Sequence, residues 1–218
     1  MTKPLFVFDL DDTLVNGDCS MIWNQFLVDE GMVTQPNFLS EDKRLMAMYA
    51  QGDMDMQEYL DFSLNPITEH SIIKVNQLVE KCVLQRILKH VFPQARDLLA
   101  QLKQDDVTIL VISASVHFLV KHVANQLGIE HAIGIDLIEN NERYTTKISG
   151  IASYQHGKVT RLKSWLKEQN VSYDRIIFYT DSINDLPLSQ YADEVHLVNP
   201  CPQIRAYGFE NNWNIINW

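Results

Sequence analysis

The feature that most limits the fold is a regular alternation of short apolar runs and amphipathic helices after residue 93. The apolar runs, together with one near the start, predict strands at 4–9, 107–113, 132–138, 175–180, 194–198 and 213–217. The segments between them predict helices at 93–104, 116–127, 156–169 and 184–191, and a polar hairpin at 140–150. Alternation of this kind is typical of an α/β protein with a parallel sheet covered by helices on both faces.

The stretch between the first and second strands has a different character. Asp18 is placed to cap a first helix, and further helices are predicted at 40–51, 55–64 and 68–90. We therefore expect a core of residues 1–15 and 91–218, with residues 16–90 forming an inserted helical bundle. Such an insert leaves the sheet at the carboxyl end of a strand, where open α/β sheets bind ligands, so it is positioned to act as a lid.

Charge and targeting patterns exclude several classes of partner. The chain has 18 Lys and Arg against 28 Asp and Glu, a formal charge of −10, and no basic run, which disfavours nucleic-acid binding. No apolar run reaches the roughly 20 residues needed to span a membrane. Cys19, Cys82 and Cys201 lie far apart and form no metal-binding motif, so we expect free thiols and a cytoplasmic location. Nothing in the sequence specifies an oligomeric state.

Acidic residues follow two of the predicted strands. Asp9, Asp11 and Asp12 come at the end of the first strand, and Asp181 and Asp185 follow the strand at 175–180. If these strands are parallel neighbours, their carboxylates meet at one edge of the sheet and need a cation between them. Oxygen ligands of this kind suit Mg²⁺.

Two further residues complete a candidate phosphate site. Ser113 ends the second strand and Lys158 lies at the start of a helix, which together supply a hydroxyl, nearby backbone N–H groups and a positive charge. Each residue also has a purely structural interpretation, since an aspartate or serine after a strand commonly caps a helix or forms a turn. The order of all these residues along one sheet favours a shared site.

These motifs resemble those of the haloacid dehalogenase superfamily. Residues 9–14 (DLDDTL) match its DxDxT motif, Ser113 its second motif, Lys158 its third, and Asp181 with Asp185 its fourth. The helical insert after the first motif resembles the cap of the phosphoserine-phosphatase-like group, subfamily IB, which includes histidinol-phosphatases. The resemblance covers essentially the whole chain and implies a Rossmann-like parallel sheet with an inserted helical cap.

The resemblance implies a phosphatase that uses Mg²⁺. Asp9 would be the nucleophile that forms an aspartyl-phosphate, and Asp11 would protonate the leaving oxygen and then activate water. The metal would be held by Asp9, by the Asp11 backbone carbonyl and by Asp181, with Asp185 as a further ligand or as support. A receiver-like or phosphate-binding module without catalysis is disfavoured by the second acid and the cap. A dehalogenase is disfavoured because that chemistry uses neither this acid nor this metal site.

The resemblance also implies which residues contact the phosphoryl group. Ser113 with the neighbouring Ala114, Lys158 and Asn184 would bind its oxygens, although a structural turn role for Asn184 remains open. Thr180 stands where many relatives have glycine, before the first aspartate of the fourth motif.

The cap sequence bears on which small-molecule phosphate ester is the substrate. Phosphoserine phosphatases have a cap glutamate and a cap arginine that holds the substrate carboxylate; here Asp18 takes the first place, and 53–69 contains five acids and no Lys or Arg. Histidinol phosphate carries an amine and an imidazole instead, which an acidic pocket with Trp23 would suit. The alternatives are that these acids form a solvated face with Trp23 in the core, and that phosphoserine or another metabolite is the substrate.

Overall fold

The computed structural model of the protein describes residues 3–218, and within them the strands and helices alternate largely as predicted. The strands are β1 (Lys3–Phe8), β2 (Thr108–Val116), β3 (His131–Ile135), β4 (Leu137–Asn140), β5 (Arg143–Ile148), β6 (Tyr173–Thr180), β7 (Glu194–Val198) and β8 (Asn214–Ile216). The α-helices are α1 (Cys19–Asp29), α2 (Phe38–Gln51), α3 (Met56–Ser63), α4 (Ile72–Gln85), α5 (Pro93–Gln104), α6 (His117–Gln126), α7 (His156–Glu168), α8 (Leu186–Tyr191) and α9 (Pro202–Glu210).

The strands other than β4 and β5 form a six-stranded parallel sheet in the order β3-β2-β1-β6-β7-β8. The central strand β1 is buried on both faces, with Leu5 and Val7 in one apolar cluster and Phe8 in the other. Burial on both faces is what parallel sheets require. The predicted α/β fold is therefore confirmed.

Register places the ends of the central strands together. Phe8 is the partner of Val111 in β2 and of Tyr179 in β6, so β1, β2 and β6 reach the same edge of the sheet. The residues that follow these strands therefore converge, as the sequence predicted.

Helices α1 to α4 lie between β1 and β2 in the chain and cover this edge. The predicted helices are present, except that the stretch predicted as one helix at 68–90 is divided at Arg86 into α4 and a short 3₁₀ helix, Ile87–His90. The two ends of the insert lie side by side: Asn16 N donates to His90 O at 2.7 Å and Phe92 N donates to Leu14 O at 3.1 Å. The division of the chain into 1–15 with 91–218 and 16–90 stays a prediction.

Three local features differ from the sequence prediction. The predicted strand 132–138 is divided at Asp136 into β3 and β4, and β4 pairs with β5 in the hairpin. The hairpin turns through Asn141 and Glu142, both with positive φ as a type I′ turn requires. Helix α9 was not predicted. Its contribution to the core is small, with only Ile204 and Gly208 buried.

Two expectations about the chain's surroundings can be compared with the structure. Across residues 3–218, no helix is both long and apolar enough to cross a membrane. All three cysteines are free, with Cys19 and Cys82 buried, so the prediction of free thiols is confirmed.

Candidate active site

A buried lysine links two of the predicted acids at the sheet edge. Asp9 follows β1, and Lys158 reaches it from the first turn of α7 with Nζ 2.8 Å from Asp9 Oδ1. The same Nζ lies 2.6 Å from Asp185 Oδ1. All three side chains are buried, Lys158 with 1% of its surface exposed. The predicted convergence of Asp9, Lys158 and Asp185 is therefore present in the structure.

Burial dominates the electrostatics of this group. Desolvation raises the pKa of Asp9 to about 8, against the opposing effect of Lys158. Burial alone would lower the pKa of Lys158, but Asp185 and Asp9 hold it above its usual value. Lys158 therefore remains a cation. The carboxylates around it outnumber it, so the group as a whole carries excess negative charge.

Both carboxylate oxygens of Asp185 are already engaged. Oδ1 contacts Lys158, and Oδ2 accepts a 2.7 Å hydrogen bond from Thr180 Oγ1. This arrangement favours the supporting role for Asp185 over direct metal binding. It also gives Thr180, the departure from the family pattern, a specific use: its hydroxyl orients Asp185.

Asp11 is turned toward the end of β2 and the start of α1. Its Oδ2 accepts hydrogen bonds from Ser113 Oγ at 3.0 Å and Ser115 Oγ at 2.9 Å, and its Oδ1 accepts from the backbone N–H of Cys19 at 2.7 Å. Ser115 and its hydrogen-bonding neighbour Ser20 were not predicted as site residues. The alternation of β2 was a usable signal for Ser115, which follows Ser113 by two positions.

Asp181 is the acid most in need of a cation. Burial, followed by the charge of Asp9, raises its pKa well above the usual value. Its Oδ1 accepts a long 3.4 Å hydrogen bond from Thr13 Oγ1, and no Lys, Arg or His of residues 3–218 pairs with it. Half-buried carboxylate oxygens that lack a cationic partner, next to Asp9, are the ligand chemistry that Mg²⁺ prefers.

The donor set fits a partly hydrated cation and not a complete protein cage. The described residues contain no group of three or more His, Cys, Asp and Glu side chains placed to hold a metal. Mg²⁺ commonly keeps several waters and takes only one or two protein carboxylates. Asp9 and Asp181, with the backbone carbonyl of Asp11, therefore match what Mg²⁺ needs.

Two cavities meet at this group. A cleft of about 320 Å³ is lined by Asp9, Asp11, Asp12, Asp18, Met21, Met46, Tyr49, Ala50, Asp181, Ser182 and Cys201. A smaller cavity under the helices holds about 20 Å³, roughly the space of one water. Its lining consists of Asp11, Asp18, Ser20, Met46, Tyr49, Met54, Met56, Tyr59, Ala114 and Ser115. Neither lining contains Lys, Arg or His.

Of the two cap residues predicted to contact the substrate, one lines the cavities and the other does not. Asp18 lines both cavities, and burial raises its pKa well above the usual value. Trp23 does not reach either cavity: it is 2% exposed and packs against Phe26 and Phe118. The predicted cation–π contact with Trp23 was therefore wrong, because its face of α1 points into the core. Tyr49 and Tyr59 are the aromatic residues of the small cavity.

The acids of 53–69 also lie elsewhere. Asp61 pairs with Lys147 at 2.9 Å and Glu69 with Arg143 at 2.8 Å, both on the β4–β5 hairpin. Asp55 caps α3, while Asp53 and Glu58 are exposed. The acidity of the cavities comes from Asp18 and the strand-end aspartates instead.

Asn184 and Ala114, both predicted to contact the phosphoryl group, have different surroundings in the structure. The Asn184 amide donates to Tyr49 O at 2.8 Å, at the end of α2, and its Oδ1 lies 3.4 Å from the Tyr154 hydroxyl. This favours the structural role for Asn184, which joins the loop after β6 to the inserted helices. Ala114 lines the small cavity beside Ser115.

Comparisons with known proteins agree with this geometry. The family model for haloacid dehalogenase-like hydrolases matches residues 6–190. The chain is 32% identical to a histidinol-phosphatase from Neisseria meningitidis serogroup C (strain 8013), over 99% of both chains. A crystal structure of a protein of unknown function from Bordetella pertussis Tohama I superposes with a TM-score of 0.90 at 27% identity, covering 99% of both chains.

A substrate-bound phosphoserine phosphatase shares the fold, with a TM-score of 0.71 at 18% identity over 99% of this chain and 93% of the other. The family match covers most of the chain. The chain therefore belongs to the haloacid dehalogenase-like hydrolase family and is a phosphatase of that family.

Proposed function

We propose that the protein hydrolyses a small phosphate monoester, with Mg²⁺, through a phosphorylated Asp9, and that histidinol phosphate is the substrate. The observation that carries the proposal is the arrangement at the sheet edge. A buried carboxylate, Asp9, is held by Lys158, and a second acid, Asp11, stands two residues away with its side chain turned to the small cavity.

The two acids divide the chemistry between them. An Asp9 oxygen attacks phosphorus, the bond from phosphorus to the ester oxygen breaks, and Asp11 gives its proton to the departing alcohol. Asp11, now a carboxylate, takes a proton from water as that water attacks the aspartyl-phosphate. Inorganic phosphate leaves, Asp9 regains its carboxylate, and Asp11 is again protonated. The hydrogen bonds from the Ser115 hydroxyl and the Cys19 backbone N–H fix the Asp11 side chain for both transfers.

Lys158 and the end of β2 serve the phosphoryl group. Lys158 offsets the negative charge that gathers as Asp9 meets a phosphate, and Asp185 holds the lysine in place. On the other side, Ser113 would turn its hydroxyl from Asp11 to a phosphoryl oxygen when phosphate binds, and the backbone at Ala114 would add a second donor. Ser153 Oγ donates to Ser113 O at 2.6 Å and fixes this strand end.

Asp9, Asp181 and the Asp11 carbonyl would hold Mg²⁺, which when bound offsets the charge of the phosphoryl oxygens. We expect Mg²⁺ titration calorimetry to show one site in the wild type and binding at least about 10-fold weaker in Asp181→Asn. Asp97→Asn, which removes one exposed charge on α5, is the control and should bind Mg²⁺ as the wild type does. Equal affinity in Asp181→Asn would contradict the assignment.

Charge complementarity supports a cationic substrate. Asp18 and Asp11 line the small cavity with Tyr49 and Tyr59, and no Lys, Arg or His lines either cavity. A substrate carboxylate in the 320 Å³ cleft, which the small cavity extends by about one water, would be desolvated without a partner, whereas the amine and imidazole of histidinol phosphate would meet Asp18 and Tyr49 there. The name of the similar Neisseria protein points to the same substrate.

A phosphate-release panel tests the substrate. With Mg²⁺ present, we expect kcat/KM for histidinol phosphate to exceed that for phosphoserine by at least about 100-fold, since a buried unpaired carboxylate is costly. Sugar phosphates serve as neutral comparisons. A preference for phosphoserine would overturn the charge argument, and phosphorylation of Asp9 without turnover would instead indicate a receiver-like module.

Two wider features belong to the same proposal. Residues 16–90 would act as a cap on a core of 1–15 and 91–218, supported by the paired chain segments at 14–16 and 90–92. We infer a cytoplasmic location, which suits the free thiols of Cys19 and Cys82.

A further inference from the structure

Behind the small cavity lies a buried polar group that the proposed chemistry does not use. Asp42 of α2 accepts a 2.8 Å hydrogen bond from Asn24 Nδ2 of α1 and a 3.4 Å hydrogen bond from the hydroxyl of Tyr59 of α3. Asn24 and Asp42 are each 1% exposed, and Tyr59 is 5% exposed. Of the three, only Tyr59 lines the cavity.

The charge of Asp42 lacks a cationic partner. No Lys, Arg or His of residues 3–218 forms a salt bridge with it, and burial raises its pKa above the usual value. Asn24 Oδ1 likewise has no hydrogen-bond partner. A buried carboxylate with two neutral donors is costly unless something else offsets its charge.

The Tyr59 ring connects this carboxylate to the cavity. Its hydroxyl donates to Asp42 Oδ1 at 3.4 Å and accepts from Asn24 Nδ2 at 3.4 Å, and Tyr59 and Asp18 both line the cavity. Donation to a carboxylate polarises the hydroxyl and increases the electron density of the ring. A cation in the cavity would therefore meet the Asp18 carboxylate and a ring polarised by Asp42. Both interactions favour positive charge.

We propose that Asp42 is a specificity-determining positioning residue that, through Tyr59, makes the cavity select phosphate esters carrying a positive charge. The inference rests on the proposed function for the reaction but not on the identity of the ester. It assigns the selection to a residue that does not touch the substrate.

A matched pair of esters measures the selection directly. 2-Aminoethyl phosphate and ethyl phosphate differ only in the ammonium group, and kcat and KM are determined for both, with histidinol phosphate in parallel. Asp42→Asn keeps the shape and an oxygen acceptor but removes the charge. Glu58→Gln is the control, because it removes a charge from the exposed face of α3 next to Tyr59.

We expect the wild type to prefer 2-aminoethyl phosphate and Asp42→Asn to lower that preference about five- to tenfold, through KM and not kcat. Glu58→Gln should keep the preference within about twofold. An equal loss for both esters in Asp42→Asn would show a structural role only. An unchanged preference, or the same change in Glu58→Gln, would overturn the proposal.

Tyr59→Phe provides a second route if Asp42→Asn does not fold. It keeps the ring but removes the hydroxyl link, so the preference should fall in the same direction, and an unchanged preference would refute the proposal. The proposed substrate and the proposed selection mechanism can fail independently of each other. If histidinol phosphate is a poor substrate but the preference for 2-aminoethyl phosphate depends on Asp42, the proposed substrate fails and the selection mechanism stands.

Discussion

Replacing Asp9 by asparagine should lower phosphate release by at least about 10³-fold while leaving the protein folded. The asparagine amide is too weak a nucleophile to form the phosphorylated intermediate. Its carbonyl oxygen can still accept the hydrogen bond that Lys158 gives to Asp9 at 2.8 Å. Lys158 keeps its second partner, Asp185 at 2.6 Å, so the lysine is not left unpaired when the Asp9 charge is removed.

The measurement combines phosphate release under saturating histidinol phosphate and Mg²⁺ with thermal unfolding by circular dichroism. Asp97→Asn, on the exposed surface of α5, is the matched control and should retain activity within about twofold. An Asp9→Asn enzyme with more than a tenth of wild-type turnover would exclude Asp9 as the nucleophile. A large fall in melting temperature would show that its charge is structural.

Replacing Lys158 by methionine should have the largest effect on stability, about 3–5 kcal/mol, as expected when one partner of a buried ion pair is removed. Nζ lies between Asp9 and Asp185, both buried, and its loss leaves two carboxylates facing each other without a cation. The urea midpoint, measured with a chelator so that no metal substitutes for the lysine, reports this change. Turnover should fall as well, since the phosphoryl group loses its cationic partner.

A double variant identifies the cause. Lys158→Met combined with Asp185→Asn removes one of the stranded charges and should recover at least about 1 kcal/mol of the lost free energy of unfolding. Lys167→Met, on the exposed end of the same helix, should change stability by less than about 1 kcal/mol. If Lys158→Met unfolds at the wild-type urea concentration, the lysine is not the charge partner that the distances indicate.

The strand-end part of the site was predictable because parallel strands impose it. Asp9 and Asp181 each follow a strand of one sheet, Ser113 lies near the end of β2, and register alone brings these positions to one edge. The role of Lys158 was predicted from its place at the start of the helix after the hairpin. Ser115 was predictable in the same way, since it shares a face of β2 with Ser113. Its hydrogen bond to Asp11, however, is visible only in the folded chain.

The inserted helices were harder to interpret because helical periodicity does not say which face meets a ligand. Trp23 and Tyr59 are both aromatic residues on amphipathic helices, yet Trp23 packs in the core and Tyr59 reaches the cavity. The acids of 53–69 were expected in a pocket and instead pair with the hairpin or face solvent. Only the arrangement of one helix against another decides these cases.

Helix α9 was missed for a related reason. Its apolar residues do not form a continuous stripe: Ile204 is buried while Phe209 is 80% exposed. A helix that is held mainly by the sheet edge next to it leaves little amphipathic signal in its own sequence.

The paired chain segments at the base of the insert, 14–16 and 90–92, have an evolutionary consequence. Asn16 donates to His90 and Phe92 donates to Leu14, so the chain returns to the point from which it left, and closing the sheet around the insert requires no long connector. The entropy of bringing those ends together depends only weakly on how many residues lie between them. Helices of another length or sequence can therefore replace these ones without displacing β1, provided that the chain after residue 16 still places a backbone N–H on Asp11 as Cys19 does. Substrate range can then diverge while the strand-end aspartates are inherited.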